Sequence, residues 1–194
     1  MWIYQKKLQY PVNIKNKDLR MAKYLLTQYG GHAGELSAAF QYLNQRYTMP
    51  DDRGKALLTD IGTEELAHVE MICSMIYQLM RGASIRELEE AGLGANYAQF
   101  GTDLFPSDAN GVPFTMTYIK TAGDAIANLE SNMGAEQRAR ATYEHLMDMT
   151  NDPDVLGPLS FLRQREIVHY ERFKELRDYY LKKKIGTGDM KRYE

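Results

Sequence analysis

Glu65-Leu66-Ala67-His68 and Glu166-Ile167-Val168-His169 are the two stretches on which the fold turns. Each sets a carboxylate and an imidazole three residues apart, on one face of a helix. Extended outward in steps of three and four, the first pair sits in the stripe Leu58, Ile61, Glu65, His68, Ile72, Met75, Leu79. The second sits in Leu159, Leu162, Glu166, His169, Phe173, Leu176, Tyr180. In both helices the polar pair therefore points at the core, between apolar neighbours. An isolated buried carboxylate is very costly, so these carboxylates need partners. A dinuclear metal centre supplies them.

The two halves of the chain repeat. Glu65 and Glu166 are 101 residues apart, as are His68 and His169. The same offset relates Glu35 to Glu136, Tyr42 to Tyr143 and Glu70 to Glu171. Glu35 and Glu136 each stand 30 residues before a Glu-x-x-His. One Glu-x-x-His alone is common on solvated helices, whereas two with matched glutamates are hard to obtain by accident. Four buried glutamates without cations would repel one another, which disfavours a metal-free bundle. A Glu from each of two helices plus Glu-x-x-His from each of the other two is the ligand arrangement of di-iron and di-manganese carboxylate bundles. Hard carboxylate ligands with one imidazole per metal suit manganese or iron better than copper or zinc.

The rest of the chain supplies the helices. Periodicity predicts a first helix over residues 18–47, with Gly30-Gly31 weakening or kinking it. Leu25, Glu35, Ala38 and Tyr42 share its inner face. Pro50 and the aspartates after it suit the start of a second helix over 51–81, with Gly82 just past its end. Residues 84–91 read as a short helix. Residues 92–114 lack periodicity and are long for a loop in a small domain, as a crossover along a bundle would be. A third helix over 125–148, a turn at Asn151-Asp152-Pro153-Asp154 and a fourth helix over 158–184 complete an all-α, ferritin-like four-helix bundle. Its one long crossover connects helices two and three. Residues 1–17 read as an arm or short strand, 18–184 as the bundle, and 185–194 as a polar, frayed tail.

Composition narrows the function. A chain of 194 residues holds one domain with a real core. Its net charge of −2 argues against a general nucleic-acid binder. The single cysteine, Cys73, excludes a disulfide framework within the chain, a cysteine zinc site and the cysteine pairs of a rubredoxin-type centre. Cys73 is read as a small core side chain. No run of about 20 apolar residues spans a membrane, and residues 1–11 lack the apolar stretch of a signal peptide. Tyr42 and Tyr143, two turns beyond Glu35 and Glu136, are equally readable as core aromatics or as hydrogen-bond partners of a ligand. His32 and His145 are read as surface residues.

The motif surroundings resemble the manganese catalase family. Those that carry the likeness are Tyr29-Gly30-Gly31 leading into Gly34-Glu35-Leu36, and Thr59-Asp60-Ile61-Gly62-Thr63-Glu64-Glu65 with His68-Val69-Glu70-Met71. Ala135-Glu136-Gln137-Arg138-Ala139-Arg140 and Arg165-Glu166-Ile167-Val168-His169 complete it. The short length and the opening Met1-Trp2-Ile3-Tyr4-Gln5-Lys6-Lys7-Leu8-Gln9-Tyr10-Pro11 are most similar to the spore-coat members of endospore-forming bacteria.

The resemblance implies two manganese ions, or in the alternative two iron ions. One would be held by Glu35, Glu65 and His68, the other by Glu65, Glu136 and His169. Glu65 would bridge them, and Glu166 would be an outer-sphere acid/base rather than a ligand; the symmetry of the repeat alone would make it a second bridge. Hydrogen peroxide would be dismutated to water and dioxygen. The protein would be a homo-oligomer whose subunits cap the site. It would be made in the mother-cell cytoplasm and placed in the spore coat beside other coat proteins. Ala135 departs from the arginine that some members carry there. Ala56 departs from one of two aspartates that bind calcium in some members, so no such calcium site is expected although Asp60 remains. A di-iron oxidase or ferroxidase of the same fold, and a structural coat protein with a vestigial site, are the competing readings.

Overall fold

A computed structural model describes residues 7–93 and 103–185, so the 185–194 tail lies almost wholly outside the described residues. Six α-helices are described: α1 Leu19–Gly30, α2 Glu35–Gln45, α3 Asp52–Leu79, α4 Ile85–Glu90, α5 Ala125–Asp148 and α6 Pro153–Lys183. Short 3-10 turns occupy Arg46–Thr48 and Met116–Tyr118. α3 is flanked by α1 and α2, and α5 packs along α6. The four-residue connection before α6 makes α5 and α6 antiparallel neighbours. The fold is the all-helical, ferritin-like bundle.

The sequence pattern and the structure differ at three boundaries. The expected first helix is two helices, because the backbone turns extended at Gly31, where ψ is 165°, and the chain packs there so closely that only glycine fits. A Cβ on Gly31 would lie 2.3 Å from the carbonyl oxygen of Thr27, and one on Gly30 would lie 2.5 Å from the backbone nitrogen of Ser107. The break makes Glu35 the first residue of α2. The fourth helix starts five residues earlier than Pro158. Asp152 caps it by accepting from the Asp154 N–H, and Pro153 occupies the first turn, where a missing N–H costs nothing. Pro158 then lies inside the helix. The arm forms no strand among the described residues. Gln78 on α3 does the work of a partner strand: its Oε1 accepts from the Ile14 N–H at 2.7 Å, and its Nε2 donates to the Val12 carbonyl at 3.1 Å.

All fourteen residues of the two stripes are buried. They divide into two apolar clusters with a polar belt between. Ile72, Met75 and Leu79 of α3 join Leu159 and Leu162 of α6 in one cluster. Leu58 and Ile61 join Phe173, Leu176 and Tyr180 in the other. The order of clusters along α3 is the reverse of that along α6, so the two helices run antiparallel and their Glu-x-x-His pairs meet in the middle. No helix of the described residues is long and apolar enough to cross a membrane.

Cys73 is half-buried beside the first cluster. Burial pushes its thiol up to about 11, against a free thiol near 8.5. The thiolate is the reactive form, so a raised value protects the sulfur. Iodoacetamide alkylation of the native chain at pH 8 is expected to be far slower than in the urea-unfolded chain. The native rate should climb as pH approaches 11. Equal rates for native and unfolded chain at pH 8 would contradict the burial of this thiol.

Candidate metal centre

The belt between the apolar clusters holds Glu35 from α2, Glu65 and His68 from α3, Glu136 from α5, and Glu166 and His169 from α6. Each is no more than 2% exposed. One ligand-capable atom from each of Glu35, Glu65, His68 and Glu166 falls within 4.8 Å of the others. Glu65, Glu136 and His169 form a second such group. Only Glu65 belongs to both. The imidazoles of His68 and His169 lie nearly parallel, 21° apart, with centroids at 5.6 Å. The structure thus brings together all six residues singled out in the sequence. His32 and His145 are exposed and stand outside both groups.

The donor atoms lie within ion-pair distance of one another but make no well-formed hydrogen bond among the described residues. His68 Nδ1 lies 2.7 Å from Glu65 Oε2 and 3.6 Å from Glu35 Oε2, yet forms no hydrogen bond. His169 Nδ1 lies 2.9 Å from Glu65 Oε1 and 3.7 Å from Glu136 Oε2, again without one. Both Glu65 oxygens, Glu136 Oε2 and Glu166 Oε1 are likewise buried and unpartnered. Buried polar atoms are almost always satisfied, and a cluster of orphans aimed at common points is the signature of cation sites. Oxygen and imidazole donors of this kind fit manganese or iron.

Electrostatics record the same crowding. Burial, then the charge of Glu65, pushes the Glu35 carboxyl up to about 7. Burial, then the charges of Glu35, Glu136 and Glu65, raises Glu166 well above the ordinary carboxylate range. Burial alone would lower His68, but the Glu65 and Glu35 carboxylates outweigh it and lift the imidazole to about 9. Burial would also raise Glu65, but the two imidazoles overcome it and hold this carboxyl below its usual value. Metals and protons compete for these atoms, so loading releases protons.

The tyrosines are hydrogen-bond partners as well as core aromatics, and they cross between halves. Tyr42 of α2 donates to Glu136 of α5 at 2.5 Å. Tyr143 of α5 donates to Glu35 of α2. Burial raises both phenols well above their ordinary value, so they remain donors. Each ligand-capable glutamate opposite a Glu-x-x-His is therefore oriented by the other half of the repeat.

Three features escape the sequence pattern. Glu64, one residue before Glu65, accepts from Arg165 at 2.7 Å and lies 2.9 Å from His169 Nε2. Burial would raise Glu64, but His169 and Arg165 hold it below the usual carboxylate range. Its sequence signal is a break in the repeat, since the position 101 residues on carries Arg165.

Second, a closed amide circuit seats the crossover on the bundle. The Lys120 N–H donates to Gln41 Oε1 at 2.8 Å, Gln41 Nε2 to Asn132 Oδ1 at 2.8 Å, Asn132 Nδ2 to Gln45 Oε1 at 2.7 Å, and Gln45 Nε2 to the Lys120 carbonyl at 2.7 Å. Third, Gln41 and Lys120 of this circuit line a cavity of about 340 Å³ whose walls also include the buried Glu35, Glu136 and Glu166, together with Tyr118 and the exposed His32 and Arg138. Ala135 also lines it. Asp60, the remaining position of the calcium pattern, is paired with Arg172 at 2.6 Å.

Comparison with known proteins extends the likeness over nearly the whole chain. Residues 1–180 match the family described as manganese containing catalase. Protein CotJC of Bacillus subtilis (strain 168) is 55% identical over 175 residues, covering 90% of this chain and 92% of that protein. A probable manganese catalase of Clostridium acetobutylicum is 37% identical over 166 residues, covering 84% of this chain and 73% of that protein. The crystal structure of KatB, a manganese catalase from Anabaena, aligns with a TM-score of 0.86 at 32% identity, covering 97% of this chain and 83% of that one. A match running from residue 1 to residue 180 takes in both halves of the repeat and every donor of the belt, and on that ground the chain belongs to the manganese catalase family.

Proposed function

We propose that this protein is a dimanganese catalase of the bacterial spore coat, dismutating hydrogen peroxide to water and dioxygen. The observation that carries the reading is the pair of buried donor groups sharing Glu65, with both Glu65 oxygens and the facing nitrogens of His68 and His169 without a hydrogen-bond partner among the described residues. Glu35, Glu65 and His68 hold one metal, and Glu65, Glu136 and His169 hold the other. The chemistry that a bound manganese pair supplies is a two-electron store, so that one peroxide is reduced to water and the next oxidised to dioxygen.

The chain's own residues do the rest. Tyr42 and Tyr143 keep Glu136 and Glu35 in orientation. Glu166, in only one of the two groups, serves as acid and base. Buried beside Glu35, Glu136 and Glu65, its carboxyl can hand over and take back a proton, with burial and neighbouring carboxylates raising its proton affinity and the metal charge opposing them. The cavity is large enough for a molecule of peroxide size and reaches Glu35, Glu136 and Glu166 of the belt. Placement in the coat rests on the 55% identity to CotJC over nearly the full length of both chains. A homo-oligomeric assembly is supported by the exposed Phe40, Val112 and Met116. Phe40 stacks on Phe114, which meets the cavity-lining Tyr118.

The test is elemental analysis beside a dioxygen electrode. Chain expressed with added manganese should contain two manganese ions per polypeptide and release one dioxygen for every two peroxides consumed. Less than one transition metal per chain would overturn the two-metal reading. Tightly bound iron with no peroxide turnover would replace catalase by a di-iron oxidase, and two manganese ions without turnover by a structural coat role.

A further inference from the structure

The two metal positions are not equally supported. We infer that Glu64 is a positioning residue for His169 alone, so that the metal held by Glu65, Glu136 and His169 is bound more tightly than its neighbour, with the N-terminal arm bracing it. The inference rests on the two-metal reading above and concerns binding rather than turnover.

His169 Nε2 lies 2.9 Å from Glu64 Oε2, and its Nδ1 faces Glu65 and Glu136. An imidazole that donates one N–H to a carboxylate presents the other nitrogen as a lone pair in a fixed direction, and its basicity rises. His68 lacks this. Its Nε2 is 3.9 Å from Glu64 Oε1 and has no hydrogen-bond partner among the described residues. The reason lies in the repeat. Glu64 and Arg165 occupy equivalent places in the two halves, so the second half has no carboxylate at the position from which Glu64 reaches His169.

Arg165 donates through Nε at 2.7 Å and Nη2 at 3.1 Å to the Glu64 carboxylate. Gln9 of the arm donates to Glu64 Oε1 at 2.5 Å. The Glu64 side chain is only 14% exposed, so these bonds fix the carboxylate in a largely dry setting. The arm is itself fastened, since Gln78 holds Val12 and Ile14, and Tyr10 stacks on Phe161 of α6 at 5.1 Å. A continuous line of contacts thus runs from the arm through Gln9 and Glu64 to His169.

Stepwise manganese titration of the full chain, reading free Mn²⁺ by its electron paramagnetic resonance signal, tests this. Glu64→Ala should weaken one of the two dissociation constants by about 10- to 100-fold and leave the other within about 2-fold. Glu64→Gln, whose amide oxygen still accepts from the imidazole, should weaken the same constant by less, as should Gln9→Ala. If Glu64→Ala does not fold, Glu64→Gln carries the comparison. Adding His68→Ala assigns the constant: with only the His169 position left, the Glu64 substitution should still weaken binding. With His169→Ala instead, the remaining constant should be insensitive to Glu64. Equal weakening of both constants, weakening confined to the His68 position, or no weakening would each overturn the inference. Two manganese ions bound with this asymmetry but no dioxygen evolved would sink the catalase reading and leave this one standing.

Discussion

Glu65→Gln is expected to remove both metals, and His68→Ala or His169→Ala one metal each. Glu65 is the only residue common to the two donor groups, and both its oxygens are buried and unpartnered. An amide keeps the size but carries no charge, and one of its two ends is a donor. Neither metal would then have its shared anionic ligand. Each histidine is the only imidazole in its group, so its loss falls on one position. In all three variants peroxide turnover should fall about 1,000-fold or more, the rate equivalent of several kcal/mol of stabilisation from the metal pair. The helices should persist, because alanine is the best helix former and the apolar clusters on either side of the belt are untouched. Metal stoichiometry, dioxygen evolution and circular dichroism on one preparation check this. Full metal occupancy in both histidine variants would show the ligand assignment to be wrong.

Glu166→Gln separates two roles for the sixth residue of the belt. The symmetry of the repeat makes Glu166 the counterpart of Glu65 and hence a second bridge, in which case the amide should lose metal. Resemblance to the family makes it a proton carrier beside the metals, in which case both metals stay. We expect the second outcome, with turnover reduced about 100- to 10,000-fold, the usual worth of a positioned acid/base. An amide can hydrogen-bond but cannot take up a proton at neutral pH. Ala135 lines the same cavity as Glu166 and brings no charge to it. Loss of a metal would make Glu166 a ligand, and an unchanged rate with full metal would remove it from both roles.

The stripes and the repeat were legible in the sequence because both are periodic along the chain. Steps of three and four fix which side chains share a helix face, and an interrupted apolar face locates a polar belt. All fourteen stripe residues are buried, and all six belt residues meet. Periodicity says nothing of what stands opposite a face. The crossed bonds of Tyr42 to Glu136 and Tyr143 to Glu35 join residues 94 and 108 positions apart. The amide circuit on Lys120 draws on α2, α5 and the crossover together.

Glu64 shows the division within one residue. Its place beside Glu65 and its mismatch with Arg165 are sequence facts, but its commitment to His169 rather than His68 was decided by α3 and α6 packing antiparallel. The same holds for the break after Gly30. A glycine pair permits a bend, a kink or a stop, and the backbone of Ser107, arriving from the crossover, leaves no room for a side chain there. Local pattern chose the helices and the face that each buries. Tertiary packing chose which donor, opposite that face, each buried polar atom would find.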